Sequence, residues 1–412
     1  MVHIPHIRLI FFSLLLILTV LSTTSFSQNR GYELLPSPDL WYNDVDGIRL
    51  GLNLLGQVPG SFEDGPHRLR AGIWLGLWFP DAPLSYQLTY TEPMRRWSDF
   101  GSEASFQVLS SFRTGYHKHG LGFQKRWQKG FHERRFTELS IFNTLEKRIN
   151  SEYTPFTVLW ADNVKLLTSL SLLLQDENPI GEFSVTFKSS LQYLNSAFLT
   201  SSLSAFQRVD FNRHWGVRIR GFSALSSSSS APEYLVSRSM SPAIEWMANS
   251  VTRAKGTIPQ HWIESGSFHV AGGANLRGYV EEDVKSLVQC SAEEPHCGIL
   301  FYSFFSLNSE FDFWNPIDLL FNRNSYTSEF FRFRSYLFYD TGGSPGWIGD
   351  TGSLFFSNAG TGFSLSLNIP DHLGKARGFV LRYEIPFWLS DPASGDAFSF
   401  RSLFGFGAVI TI

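Results

Sequence analysis

Alternation of apolar and polar residues runs through this chain from end to end. In the final stretch, FSFRSLFGFGAVITI, the even positions are Phe398, Phe400, Ser402, Phe404, Phe406, Ala408, Ile410 and Ile412. The odd positions are Ser399, Arg401, Leu403, Gly405, Gly407, Val409 and Thr411. One face suits hydrocarbon and the other does not, which is the period-2 mark of a strand between two unlike surroundings. Upstream, FVLRYEIPF sets Phe379, Leu381, Tyr383, Ile385 and Phe387 against Arg382 and Glu384, and FFRFRSYLFYD sets Phe331, Phe333, Leu337 and Tyr339 against Arg332, Arg334 and Asp340. In LFYSFFSLNSEFDF, Phe301, Phe305, Leu307, Phe311 and Phe313 oppose Asn308, Glu310 and Asp312. HWGVRIRGF places Trp215, Val217 and Ile219 against Arg218 and Arg220; in DGIRLGLNL, Ile48, Leu50 and Leu52 oppose Arg49, Gly51 and Asn53. EFSVTFK and RLRAGIWLGLWF continue the pattern.

The pattern predicts about sixteen strands, starting near 46, 68, 84, 103, 118, 135, 164, 182, 197, 214, 263, 299, 330, 357, 378 and 398. A soluble β-sandwich also alternates, but its inner face is limited, whereas here nearly every strand carries large aromatics on its apolar side. The expected fold is all-β, a transmembrane antiparallel barrel. An even strand count returns both termini to the periplasmic side. The connection PDAP at 80–83 is short, as a periplasmic turn should be. By the same parity the long stretch 226–262, with its serine run and SPAIEWMANSVTRAKG, falls on the periplasmic side. Such length is unusual there: it is either a periplasmic elaboration or a sign that the count is one strand out.

Composition strengthens the membrane reading. Aromatics make up 16% of the chain, with 39 phenylalanines, and charged residues only 17%, against about 25% in soluble domains. The net charge of −3 gives no reason to expect a nucleic-acid partner. His3, His6 and Arg8 precede the apolar run Leu9 to Leu21, which is followed by STTSFSQ. This is the layout of a cleaved signal peptide over 1–27. A short periplasmic segment, 28–45, and a barrel, 46–412, are expected to follow. Nothing after Leu21 approaches the ~18 uninterrupted apolar residues of a membrane helix, and an exported, aromatic-rich, charge-poor chain without such a helix fits an outer-membrane barrel.

Motifs of enzyme chemistry are weak, and no enzymatic activity is expected. DTG occurs at Asp340-Thr341-Gly342 and again at Asp350-Thr351-Gly352, but two copies on one hairpin cannot share a proton across a twofold as aspartic proteases require. Gly342-Gly343-Ser344-Pro345-Gly346 matches GxSxG but runs into WIGDTGS, a turn-like stretch rather than the helix of a nucleophile elbow. His117 and His119 share one side of a strand and lack a third ligand. No metal or cofactor is expected. Cys290 and Cys297, the chain's two cysteines, read as a local disulfide in an exported protein, a metal pair being the lesser option.

GGANLRGY, residues 272–279, interrupts the alternation with three glycines around an arginine. Together with the strand pattern it resembles the bacterial surface antigen superfamily, the barrels of the BamA, TamA and two-partner-secretion transporter type. In that family an R-G-[FY] tip on the sixth extracellular loop folds into the lumen and is held by the acid of an F-x-D-x-G motif on strand thirteen. Arg277-Gly278-Tyr279 matches the first, Phe338-Tyr339-Asp340-Thr341-Gly342 the second, and Glu310 sits where a second acid is often found. The resemblance implies that Arg277 bridges Asp340 and Glu310; a solvated loop arginine is the alternative. About fifteen residues separate the signal cut from Asp46, too few for a periplasmic POTRA domain, and the chain ends in Ile412 rather than an aromatic. It therefore resembles a POTRA-less member.

Three functions compete. The first is a barrel that inserts or translocates protein, where Gly405 and Gly407 would loosen pairing at the seam between first and last strands; in barrel strands such glycines are also often plain bulges. The second is a passive channel whose lumen carries Arg49, Arg218, Arg220, Arg332, Arg334 and Glu384. The third is a surface anchor for a separate protein. The expected partners are outer-membrane lipid and a separately encoded periplasmic or passenger protein.

Overall fold

The computed structural model describes residues 32–57, 68–78, 84–130, 132, 135–212, 215–290, 295–317, 331–348, 353–369, 377–393 and 395–408. The expected signal peptide, the PDAP connection and the second DTG fall outside the described residues. Eleven long strands come first: β1 Glu33–Asn43, β2 Gly47–Gln57, β3 Arg68–Gly76, β4 Leu84–Pro93, β5 Ser102–Arg113, β6 Tyr116–Gln128, β7 Phe136–Arg148, β8 Lys165–Asn178, β9 Gly181–Gln192, β10 Phe198–Asp210 and β11 Gly216–Ser226. After an insert at 227–302 come β12 Ser303–Phe313, β13 Phe331–Ser344, β14 Leu354–Ile369, β15 Arg377–Leu389 and β16 Leu403–Ala408. Each pairs antiparallel with the next in sequence, β11 joining β12 across the insert.

Period two sets the two faces. Leu50, Leu121, Ile141, Leu203, Leu337 and Phe406 are among the large apolar side chains left exposed on the outside of successive strands. Their polar neighbours face the concave side, where the insert lies. An apolar exterior spread over nearly every strand is far larger than the patches a soluble monomer tolerates. No helix among the described residues is long and apolar enough to cross a membrane.

Two expectations need correction. Glu33–Asn43, placed before the barrel, is a strand in register with β2 over its whole length. Pro36 and Pro38 hide it from the pattern, because prolines argue against a strand unless it is an edge. The stretch near 263, taken as a strand, is instead a helical turn, Gln260–Glu264, followed by a two-residue strand, Phe268–His269. Among the described residues the long strands number sixteen, but they are not the sixteen that the pattern marks. With eleven strands ahead of it, the insert lies at the end opposite the chain's two described termini, so of the two readings of 226–262 it is the count that is one strand out.

The insert has its own core. Met240, Trp246, Ile258, Ile263 and Val284 pack together and against Tyr116 of β6 and Trp160 of the connection between β7 and β8. It contains three short helices, α1 Ala243–Trp246, α2 Gln260–Glu264 and α3 Val280–Gln289. Lys165 at the start of β8 and Glu233 of the insert form a buried ion pair at 2.6 Å. Lys188 of β9 reaches Glu245 at 2.7 Å.

The sheet's edges meet the insert too. Among the described residues no ladder joins β1 to β16. Phe268–His269 instead pairs in parallel with Phe404–Gly405 of β16, and the Phe404 N–H donates to the Ser267 carbonyl at 2.7 Å. At β1, Thr257 accepts from the Trp41 indole at 3.1 Å and donates to the Tyr42 carbonyl at 3.2 Å. The Asp44 N–H donates to the Lys255 carbonyl at 3.0 Å. The insert spans the seam.

Candidate functional site: an arginine lock inside the sheet

The tip of the insert, Leu276 to Tyr279, makes one 3-10 turn against the inner wall. Gly272 and Gly273 precede it with φ of 140° and 56°, conformations that favour glycine. Gly278 approaches the wall so closely that a Cβ there would lie 2.3 Å from Leu389 and 2.7 Å from Asn358. Its N–H donates to the Asn358 side chain at 3.2 Å. The Tyr279 hydroxyl donates to the Ser357 carbonyl at 3.1 Å.

This turn sends Arg277 into three carboxylates. Its Nε and Nη2 donate to Asp340 at 2.9 and 2.7 Å, and its Nη1 donates to Glu310 and to Glu384, both at 2.8 Å. The fork shape of guanidinium suits such a two-oxygen grip. Its plane also lies 4.0 Å from the Phe338 ring. Glu310, Asp340 and Glu384 come from β12, β13 and β15, all at even positions that alternation turns inward. Arg277 is 1% exposed. Burial works against its charge, but Asp340, Glu384 and Glu310 together outweigh that and hold it above its ordinary value.

The wall also grips the loop's backbone. Asn308, directly opposite Asp340 in the ladder, donates to the carbonyls of Ala274 and Asn275 and to the Asp340 carboxylate. Arg220 donates to the Asn308 side chain at 3.1 Å and to the Gly273 carbonyl at 2.8 Å. Glu310 is shared with Arg334, which also binds Asp312, and Arg218 lies 3.8 Å from Asp312. Glu384 accepts from the Tyr336 hydroxyl at 2.7 Å.

Behind the tip, Arg238 binds Asp283 of α3 at 2.7 Å and lies 4.4 Å from the Tyr279 ring. Burial pushes the Asp283 carboxyl up, with Arg238 and Ser239 pulling the other way. Cys290, just after α3, is bonded to Cys297.

Four of the arginines and acids expected to line an open lumen thus sit in one network with the loop: Arg218, Arg220, Arg334 and Glu384. Arg49 lies apart, paired with Asp46 at 3.3 Å, and Arg332 is exposed. Gly405 and Gly407 are both in the ladder with β15, opposite Arg382 and Val380; the free edge at Gly405 is occupied by His269. His117 and His119 contact each other at 3.2 Å, and among the described residues no three His, Cys, Asp or Glu side chains cluster as metal ligands. Ser344 ends β13 and leads into a bend, not a helix.

Sequence reasoning missed Asn308 as a loop contact, although it shares the polar face with Glu310. It missed Arg238, Asp283 and Asn358 altogether, and no local signal marks them. The chemistry of the site is mechanical. It fixes a loop inside a sheet.

No family model and no curated protein matches the chain. Solved structures do. BamA from Haemophilus ducreyi lacking POTRA domains 1–3 aligns over 96% of this chain and 78% of that one, at 13% identity and a TM-score of 0.49. A bacterial polysaccharide outer membrane secretin aligns over 93% of this chain and 97% of that one, at 10% identity and a TM-score of 0.36.

Proposed function

We propose that this chain is an outer-membrane barrel of the assembly and translocation kind, with its sixth loop locked inside and a partner protein supplied in trans. The observation that carries the reading is the meeting of Arg277 with Asp340 at 2.7 Å. Residues of the two motifs behind the superfamily resemblance, far apart in sequence, are in direct contact. The apolar exterior supports a lipid surround, since exposed side chains of that size are stable in hydrocarbon and not in water.

The seam is the working part in this reading. Pro36 and Pro38 pair with Leu54 and Leu52 of β2; having no N–H to give, they fit such a ladder where their nitrogens face the open edge of β1. That edge cannot zip fully to β16. The insert holds the two edges, through Thr257 at β1 and Phe268–His269 at β16, and moving the insert frees both. A passive channel is the weaker alternative, because the insert occupies the concave side that a solute would cross.

The test is to delete the gene and measure the outer-membrane and secreted proteomes, with the protein's own fractionation as control. The reading expects recovery in outer membranes, heat-modifiable gel migration, and loss of at least one client protein from the envelope. Recovery from the soluble periplasm, or an unchanged proteome, refutes it.

A further inference from the structure

We propose that the cavity between the insert and the lead-in to β16 binds a phosphate group, with Arg401 as its cation. The cavity is about 180 Å³ and is lined on one side by Ser265 and Ser267 of the insert, on the other by Arg401 and Ser402. At a liquid share of ~30 Å³ per water, it holds on the order of six waters, room for a five-atom oxyanion and some solvent.

Arg401 is the reason to expect an anion. It is 8% exposed, and its Nη1 is buried without a hydrogen-bond partner. Among the described residues no acid pairs with it, whereas Arg49, Arg277 and Arg334 have carboxylates, and Arg148, which has none, donates to the Thr114 carbonyl and lies over the Trp160 ring. A buried cation left unpaired is costly, and a proximate anion removes that cost. Glu281, which also lines the cavity, forms no ion pair with Arg401 and instead meets Lys285 at 2.6 Å. Ser265 has one hydroxyl proton; when it goes to Ser267 at 2.8 Å rather than to the Trp262 carbonyl at 3.2 Å, the Ser267 hydroxyl is free to donate into the cavity. An arginine fork with serine donors matches a phosphate better than a lone carboxylate would need.

Phe398, Phe400 and Trp262 stand exposed nearby, Phe400 in the cavity rim itself. Exposed aromatics of this kind sit at membrane–water boundaries, so the phosphate has two possible sources: a lipid headgroup or free phosphate. A bound phosphate would tie the insert to the last strand, because the donors come from both. This inference stands whether or not the barrel handles proteins.

The experiment uses the purified full chain in zwitterionic detergent, unfolded by heat with inorganic phosphate or with chloride at equal ionic strength. A second arm uses nanodiscs of phosphatidylcholine with or without phosphatidylglycerol. Phosphate or phosphatidylglycerol should raise the midpoint of the parent protein and leave Arg401→Met unmoved. Arg401→Lys should bind about tenfold more weakly than the parent, since it keeps the charge and loses the fork. In phosphate-free detergent Arg401→Met should itself melt higher than the parent, because it removes an unpaired buried charge. Protection by phosphatidylglycerol alone assigns the group to a lipid headgroup; protection by both shows that the free ion suffices. The proposal is overturned if neither probe protects the parent, if Arg401→Met is protected equally, or if Arg401→Met melts lower in phosphate-free detergent.

Discussion

Replacing Arg277 by alanine removes four hydrogen bonds to three carboxylates, and the three acids do not suffer equally. Glu310 keeps Arg334 at its other oxygen. Asp340 is left with the Asn308 amide at 3.1 Å and the backbone N–H of residue 277 at 3.3 Å, and Glu384 with the Tyr336 hydroxyl and His269 at 3.7 Å. Two carboxylates that are 0% and 1% exposed therefore lose their cation. Stranding one side of a buried pair costs ~3–5 kcal/mol. With two acids stranded by one deletion, the upper half of that range is expected, reduced by any water that enters the space left. Asp340→Asn removes one of the two charges, so in the Arg277→Ala background it should recover stability rather than lose more. The double mutant should fall short of the summed single effects by at least ~1.5 kcal/mol. Urea unfolding in detergent measures the four energies, and limited proteolysis over 280–298 reports whether the insert has come loose. If the two substitutions add to within ~0.5 kcal/mol, or if Arg277→Ala leaves the insert as resistant as before, the lock does not exist as described.

Further tests address the wall, the seam and the bridge. Gly278→Ala should cost ~1–3 kcal/mol by overpacking against Leu389 and Asn358; an unchanged unfolding midpoint would mean that the tip does not sit against β15. Leu50, half exposed on the outer face, should lose ~2–4 kcal/mol as Leu50→Arg if it lies near the middle of a bilayer, whereas an exposed leucine in water would shift by about 0.5 kcal/mol at most. Spin labels at Leu40→Cys and Phe404→Cys should give one narrow distance in the parent and a broader, longer one in Thr257→Val and in Phe268→Ala. The same distribution in all three would show that the edges hold without the insert. Native protein should resist maleimide until reduced, since Cys290 and Cys297 are bonded to each other; labelling without reduction contradicts the bridge.

Alternation is a local property, and it carried most of the wall. A period of two needs only neighbours along one strand, so Leu337 and Tyr339 facing out, with Asp340 facing in, could be read directly from FRSYLFYD. The same locality explains the failures. Pro36 and Pro38 break the strand signal of β1, which survives because an edge needs hydrogen bonds on one side alone. SFHVAGG near 263 alternates well enough to pass as a strand, yet tertiary packing leaves it two residues of pairing and buries Phe268 in the insert's core. One strand lost and one gained moved the insert to the wrong end.

The lock was legible in part because its motif is short and its first partner is fixed by another motif. What the chain's linear order could not reveal is that Glu384, 107 positions away, shares Arg277 with Asp340, 63 positions away. That depends on β13, β14 and β15 lying side by side in one register, with Tyr336 reaching across to Glu384. Arg401 is the sharper case. In sequence it is one more polar residue on the inner face of the last strand, and only the fold decides which charges have partners, because burial and pairing are properties of surroundings assembled from distant parts of the chain.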